Sequence, residues 1–370
     1  MDSTGPDLLL RNYAPRTVLR LPDTTPEHPK FPVIDAHNHL GTAFGPFSAD
    51  WPVRPVAELI ETMDESGVEL MVDLDGQWGE VLEHELDRYV EPYPDRFLVF
   101  AGIDFANVAI DPHFGETEAR RLRESYAAGA RGLKIWKPLG LHLHDTSGRL
   151  VPVDDARLDP LWETAGELDI PVLIHTADPV AFFEPLDRYN ERWEQLARNP
   201  DWHFYPTSPW GAVDDARFPS FDELMEQLAN MVRAHPRTRY ILAHVGCNAE
   251  DLPWVARLLE RCPNAFIDLS ARIAELGRKP YSARDFFIAW QDRILFGTDA
   301  PADRAMYRRH YRFLETRDEY FSYDGNEIPR QGRWQIYGLH LPDDVLRKIY
   351  AENARRVLFG DSFVSPVGRA

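Results

Sequence analysis

Two histidines one residue apart, His37 and His39 in Ile34-Asp35-Ala36-His37-Asn38-His39, close an apolar run. On an extended strand the two-residue period points both imidazoles to the same side. Such a pair suits a zinc-type divalent ion, which prefers nitrogen donors at about 2.0–2.1 Å and needs three or four groups from different elements. The pair alone is a weak signal, because thirteen histidines in 370 residues give about half an HxH by chance. A second one, His142 and His144, sits in a polar loop and reads as surface or substrate contact.

Three further residues lift the first pair. His175 ends Val172-Leu173-Ile174, His244 ends Tyr240-Ile241-Leu242-Ala243, and Asp299 ends Ile294-Leu295-Phe296-Gly297-Thr298. An ionisable group at the end of a buried strand is costly unless it is paired or metal-bound. Around this set stand residues suited to substrate. Arg272, six positions before Arg278, offers a planar fork for a carboxylate, although either arginine can instead pair with Glu275, Asp251 or Asp285. Lys134 is one of only five lysines and lies inside an apolar run beside Trp136. It reads as a substrate contact or as a partner of Asp104 or Asp178, with Trp136 as a second contact. Asp178 reads as a substrate contact, an orienting partner of His175, or a cap. Asp35, in step with His37 and His39, reads as an inward anchor of the barrel floor. Cys247 reads as loop packing.

These residues must be positioned by something, and eight β-rich runs supply it: Val33–His39, Val68–Gly76, Phe97–Phe105, Gly132–Lys137, Pro171–Ala177, Arg239–Gly246, Asn264–Ala271 and Arg293–Ala300. Helical periodicity falls between them at Val56–Ser66, Glu80–Val90, Glu116–Ala128, Asp159–Leu168, Phe221–Ala234, Leu252–Arg261 and Ala283–Trp290. Alternation of this kind predicts an α/β fold, a (β/α)₈ TIM barrel. A doubly wound sheet is the alternative, but the Gly-rich turn that would accompany a nucleotide is absent. Pro179–Ser220, Pro301–Pro342 and Leu139–Ala156 are longer than connections need, and all follow strand C-termini, where a barrel carries its catalytic loops. Their aromatics, among them Phe182, Trp202, Trp210, Tyr320 and Trp334, are candidate pocket walls. The expected division is an extension over 1–32, the barrel over 33–360 and a tail over 361–370.

Composition narrows the partners. Hydrophobic residues at 44% and charged residues at 27% describe a globular chain, not a disordered one. A formal charge of −19 repels phosphate backbones and anionic lipid, so neither nucleic acid nor a membrane is an expected partner. The N-terminal stretch lacks a signal-peptide pattern, and Cys247 and Cys262 form no CxxC, which fits a reducing cytoplasm. A small-molecule substrate, possible in carboxylated form, and a homodimer are the remaining expectations.

Taken together, the HxH after strand one, the single histidines after strands five and six, and the Asp of Gly297-Thr298-Asp299 after strand eight resemble the amidohydrolase superfamily. The resemblance is to its amidohydrolase-related branch, which includes aminocarboxymuconate-semialdehyde decarboxylase, and it runs from about Val33 to Gly360. It implies a metal-dependent barrel enzyme. Carried over residue by residue, it makes His37, His39 and His175 metal ligands, Asp299 a ligand and proton acceptor, and His244 a catalytic histidine or, in two-metal relatives, a ligand of the second ion. In those relatives a lysine at the position of Lys134 is carboxylated and bridges the ions; the default here is one ion, Zn²⁺. The expected activity is hydrolysis of a small ester, lactone or amide by a metal-activated water, with decarboxylation of an unsaturated or aromatic acid as the alternative.

Overall fold

The structure is a computed structural model and describes residues 8–9, 12–13, 15–43, 45–205 and 218–360. Trp210 and the tail 361–370 therefore lie outside the described residues.

Eight short parallel strands run in chain order: β1 (Val33–Asn38), β2 (Val68–Asp73), β3 (Phe97–Val99), β4 (Leu133–Ile135), β5 (Val172–Ile174), β6 (Tyr240–Leu242), β7 (Ala265–Asp268) and β8 (Ile294–Leu295). β1–β2–β3 form one ladder and β4 to β8 another. The two meet through a parallel bridge between Ala101 and Leu133, where the Lys134 N–H donates to Ala101 O at 2.7 Å. On the other side the Ala36 N–H donates to Phe296 O at 3.0 Å and the Asp299 N–H to His37 O at 2.8 Å, so the ring returns to β1. This is the expected TIM barrel. Each strand is shorter than its apolar run, because the last residues of the run leave the ladder to build the site.

Alternate side chains sort into two cores. Val33, Met71, Phe97, Leu133, Val172, Tyr240, Ile267 and Phe296 face the helices. Ile34, Ala36, Leu70, Val72, Leu98, Phe100, Leu173, Ile241, Phe266 and Leu295 fill the lumen. A Cβ on Gly132 would stand 2.4 Å from the Phe100 ring, so glycine there is what lets that phenyl fill the barrel. The lumen cluster continues into Ala351, Ala354, Val357 and Leu358 of the last helix (Asn353–Phe359). That helix closes the N-terminal end: Arg239 Nε, just before β6, donates to Val357 O at 3.1 Å, and Asn353 Nδ2 donates to Ile294 O at 2.7 Å.

Val56–Ser66, Phe221–Ala234 and Leu252–Arg261 are helices with the expected bounds. Pro301–Pro342 is not simply a loop, since its first part is the helix Arg304–Glu315, capped by Asp303 through Met306 N–H at 3.0 Å. Its buried face is made of Met306, Tyr307, His310, Tyr311, Phe313 and Leu314 amid arginines, so periodicity in aliphatic residues does not reveal it. Of the extension, Thr24 and Lys30 are tied to Asp318 and Glu315 near this helix. No helix among the described residues is long and apolar enough to cross a membrane.

Candidate active site

Pairing of β1 with β2 shifts register between Asp35 and Asn38. The shift overturns the inward reading of Asp35. Its neighbours Ile34 and Ala36 belong to the lumen, while Asp35 accepts from the Tyr307 hydroxyl at 2.8 Å and from Thr298 Oγ1 at 2.7 Å, between the strands and the helix that follows β8. Beyond the shift His37 turns inward, beside Asp268 at the end of β7 and Lys134 of β4.

Both histidines of the pair are held by a buried carboxylate on one nitrogen. His37 Nδ1 lies 2.8 Å from Asp268 Oδ2, and His39 Nδ1 lies 2.8 Å from Asp75 Oδ1. Their Nε2 atoms face Asp299 Oδ1 at 3.7 and 3.4 Å. His37, His39 and Asp299 each offer a donor atom within 4.8 Å of the others. Asp268 does more than hold His37, since its Oδ1 accepts the N–H groups of His244 at 2.9 Å and Ser270 at 3.1 Å. Asp75 and Asp268 are buried acids to which sequence reasoning gave no role. A strand-end aspartate reads equally well as a helix cap, and only the facing imidazole distinguishes the two.

His244 points Nδ1 at Ser270 O, 2.9 Å away, so that nitrogen carries the proton and Nε2 is the free base. Nε2 lies 3.7 Å from Asp299 Oδ2 and 3.3 Å from His175 Nδ1. The chain reaches this position through a run of left-handed residues, His244 (φ 59°), Val245 (φ 60°), Gly246 (φ 66°) and Cys247 (φ 56°). A β-branched residue rarely adopts such angles, and Asp299 itself has φ 49°. Backbone strain is thus concentrated where side chains converge. His175 stands one imidazole further out than the His37/His39/Asp299 trio. It touches His244, and its Nε2 lies 3.0 Å from Ala177 O and 3.6 Å from Asp178 Oδ1.

Electrostatics follow the packing. Burial pushes the His37 and His244 imidazoles down, and His175 down to about 4, which keeps these rings neutral. Burial acts the same way on His39, but Asp299 and Asp75 outweigh it and bring the ring up to about 9. Asp299 is partly withdrawn from water, which raises its carboxyl, yet the histidines around it hold it well below the usual range. Burial also lowers the Lys134 ammonium to about 8, and its Nζ is 3.4 Å from His37 Nε2.

A cavity of about 500 Å³ opens onto His175, His244 and Asp299. Its wall includes Asp178, whose partner is Lys137 at 2.7 Å, and Arg272, which donates to Ala271 O at 3.0 Å. Phe182 and Trp202 line it, whereas Tyr320 is 40% exposed elsewhere. Trp136 is not among the lining residues and packs on Phe105, with ring centroids 6.3 Å apart. His142 packs edge-on against Phe204 and Phe218. Arg278 pairs with Glu191 at 2.8 Å, not with the acids near it in sequence. Lys137 and the fully buried Arg192, which also line the cavity, were missed. Arg192 immediately precedes the short helix Trp193–Arg198 in a segment without amphipathic periodicity, and its partner Glu275 is 83 positions away.

Comparison with known proteins places this geometry. A family model described as amidohydrolase matches residues 34–360. No curated protein matches the chain. Among solved structures, 2,6-dihydroxybenzoate decarboxylase from Rhizobium is similar with a TM-score of 0.56 and 17% identity, covering 90% of this chain and 100% of that one. Dihydroxybenzoic acid decarboxylase from Polaromonas sp. JS666, with bound manganese and the inhibitor 2-nitroresorcinol, gives 0.56 and 18%, again over 90% and 100%. A TIM-barrel protein from Bordetella bronchiseptica gives 0.53 and 17% over 89% and 99%. At such identities the likeness is one of fold.

Proposed function

The chain belongs to the amidohydrolase family and is an enzyme of it, and we propose that it is a metal-dependent hydrolase of a small-molecule ester, lactone or amide. The observation that carries this reading is the convergence of Asp299 Oδ1 on two histidine Nε2 atoms, at 3.7 and 3.4 Å, whose other nitrogens are committed to buried carboxylates. Such backing fixes which nitrogen is free and raises its basicity, and it accompanies nearly every metal-binding histidine. The donor set therefore fits a divalent ion: His37, His39 and Asp299 would hold it, with His175 completing the set from beside His244. Three imidazole nitrogens and one carboxylate favour zinc. A second ion would require Lys134 to be carboxylated; the one-ion reading is preferred because Asp268, the acid beside it, is already engaged by His37.

A bound divalent ion supplies a Lewis acid that brings the pKa of water from 15.7 towards about 7. The chain's own groups do the rest. Asp299, kept ionised, takes the proton of the attacking water. His244, neutral and with Nε2 free 3.7 Å from Asp299 Oδ2, takes that same proton over from Asp299 and passes it to the leaving oxygen or nitrogen as its bond to the acyl carbon breaks, so that both groups return to their starting states. Asp178, clamped by Lys137, keeps His175 in place. Lys134 and Arg272 contact substrate, while Trp136, packed on Phe105 and off the cavity lining, does not.

Decarboxylation is the second reading. It is favoured by Arg272, a buried cation near His244, and by the two decarboxylases of like fold. Here Asp299 takes up a proton from solvent, the carbon–carbon bond breaks with its electron pair left on the ring or chain carbon, carbon dioxide leaves, and Asp299, directly or through His244 Nε2, delivers that proton to the carbon. Buried, unbridged Cys247 and Cys262 support a cytoplasmic location, and residues 33–360 act as one barrel unit in a protein that we expect to dimerise.

The test is elemental analysis of the purified chain together with turnover before and after chelation. About one ion per chain, lost along with activity in His37→Ala, is expected. Full activity without stoichiometric metal overturns the reading. Carbon dioxide release without net addition of water selects the second reaction over the first.

A further inference from the structure

Asp299 stands on a strained piece of backbone. Its φ of 49° lies in the left-handed region, which a non-glycine residue keeps only where its surroundings over-determine it. The bonds that do so run to β1. The Asp299 N–H donates to His37 O at 2.8 Å, and Thr298, the residue before it, is anchored to Asp35 twice, by its N–H to Oδ1 at 3.1 Å and by its hydroxyl to Oδ2 at 2.7 Å. Asp35 is fully buried and forms no ion pair among the described residues. It also accepts from Asn38 Nδ2 at 3.0 Å, from the His37 N–H at 3.3 Å and from the Tyr307 hydroxyl at 2.8 Å. Five donors thus converge on one carboxylate, which has about four lone-pair sites to offer. Its position has no slack.

All of these donors but one come from the two strand ends that Asp35 joins. The exception is Tyr307, from the helix Arg304–Glu315 outside the ring of strands. Its side chain is completely buried and stacks on Phe296 and Tyr311, with ring centroids 6.5 and 6.3 Å away, so close packing fixes where the hydroxyl stands. Tyr307 is not among the residues that line the cavity. Tyr311, one turn further along the same helix, is equally buried, but its hydroxyl donates at 2.7 Å to the carbonyl of Ser66, where the helix Val56–Ser66 ends. The two tyrosines match in burial and in hydrogen bonding. They differ in what they hold.

We propose that Tyr307 is a positioning residue for Asp299, acting through Asp35 and Thr298. Its hydroxyl fixes the Asp35 carboxylate, and that carboxylate sets the backbone from which Asp299 reaches His37, His39 and His244. A reacting group misplaced by about 1 Å costs roughly 10²-fold in rate, so a brace from outside the ring of strands serves the chemistry and not the fold alone. The inference rests on Asp299 being the ligand and proton acceptor of the strand-end centre.

The experiment compares Tyr307→Phe with Tyr311→Phe in the full chain; each change removes one buried hydroxyl and keeps the ring and its stacking. The first readout is hydrogen–deuterium exchange at Thr298 and Asp299 after chelation, which needs neither metal nor substrate. Tyr307→Phe should quicken it about fivefold, the equivalent of one neutral hydrogen bond, and Tyr311→Phe should leave it as in the wild type. The second readout is Zn²⁺ affinity in competition with a chelator. It should fall about fivefold in Tyr307→Phe alone, less than the roughly 10–100-fold lost with a partner that touches a ligand directly. The third is the visible spectrum of the Co²⁺-loaded chain, which should shift in Tyr307→Phe and not in Tyr311→Phe. Both variants should lower the melting temperature alike, so a purely structural hydroxyl would move the melting and none of these contrasts. The proposal is overturned if exchange at Thr298 and Asp299 is unchanged in Tyr307→Phe, if Tyr311→Phe has the same effect, or if exchange quickens while Zn²⁺ affinity and the Co²⁺ spectrum stay as in the wild type. A wild-type chain that binds neither ion sinks the metal-centre reading, and the exchange contrast then decides for or against the brace by itself.

Discussion

The strand-end centre and the loop roof above it are built on opposite plans. At the centre both histidines of the first pair are fixed from behind by an acid at another strand end: Asp268 holds His37 and the His244 backbone, and Asp75 holds His39. The roof is fixed sideways, by contacts between loops that follow different strands: Arg192 with Glu275, Arg278 with Glu191, Arg333 with Glu194. The first plan tolerates no movement of the reacting groups. The second keeps a shape while leaving its residues free to differ with the substrate. Chemistry is carried by the ring of strands and selectivity by what spans it.

That division can be broken by experiment. Asp299→Asn, which leaves the shape of the centre but removes its proton acceptor, should lower kcat by about 10²–10⁴-fold with little change in unfolding midpoint. Glu275→Ala should do the reverse, stranding the buried Arg192 and costing about 3–5 kcal/mol in denaturant unfolding; a turnover loss as large as that of Asp299→Asn would erase the distinction. His310, on the buried face of the helix Arg304–Glu315 with Nδ1 bonded to Met306 O, is pushed down by burial from its ordinary 6.5 to about 4. The folded state therefore favours the neutral ring: its contribution is complete above pH 6.5 and fades as pH falls towards 4, by roughly 1.4 kcal/mol per unit. His310→Leu should flatten this part of the stability–pH curve. Asp268→Asn should weaken metal binding by about 10–100-fold in competition with a chelator. Arg333→Ala, which opens a partly exposed clasp with Glu194, should cost about 1 kcal/mol.

The same contrast explains what could be read from the sequence. The ring was legible because each strand is a short apolar run, and the five groups of the centre announce themselves as polar residues ending such runs. The orientation of Asp35 was not, because a register shift defeats counting by twos. Asp75 and Asp268 were visible as residues but not as partners, since nothing local names the imidazole each will face. The helix Arg304–Glu315 was hidden by an apolar face made largely of tyrosine, methionine and histidine. Arg192 was hidden more deeply, because a pair formed across 83 positions between two loops has no period and no neighbouring signal.

The helix Asn353–Phe359, seated among lumen residues at the N-terminal ends of the strands, makes the barrel a vessel with a stopper. Whatever enters must leave by the mouth it came in through, past the same clasped loops. Departing product and arriving substrate thus share one corridor, and the next molecule can enter only once the last has cleared it.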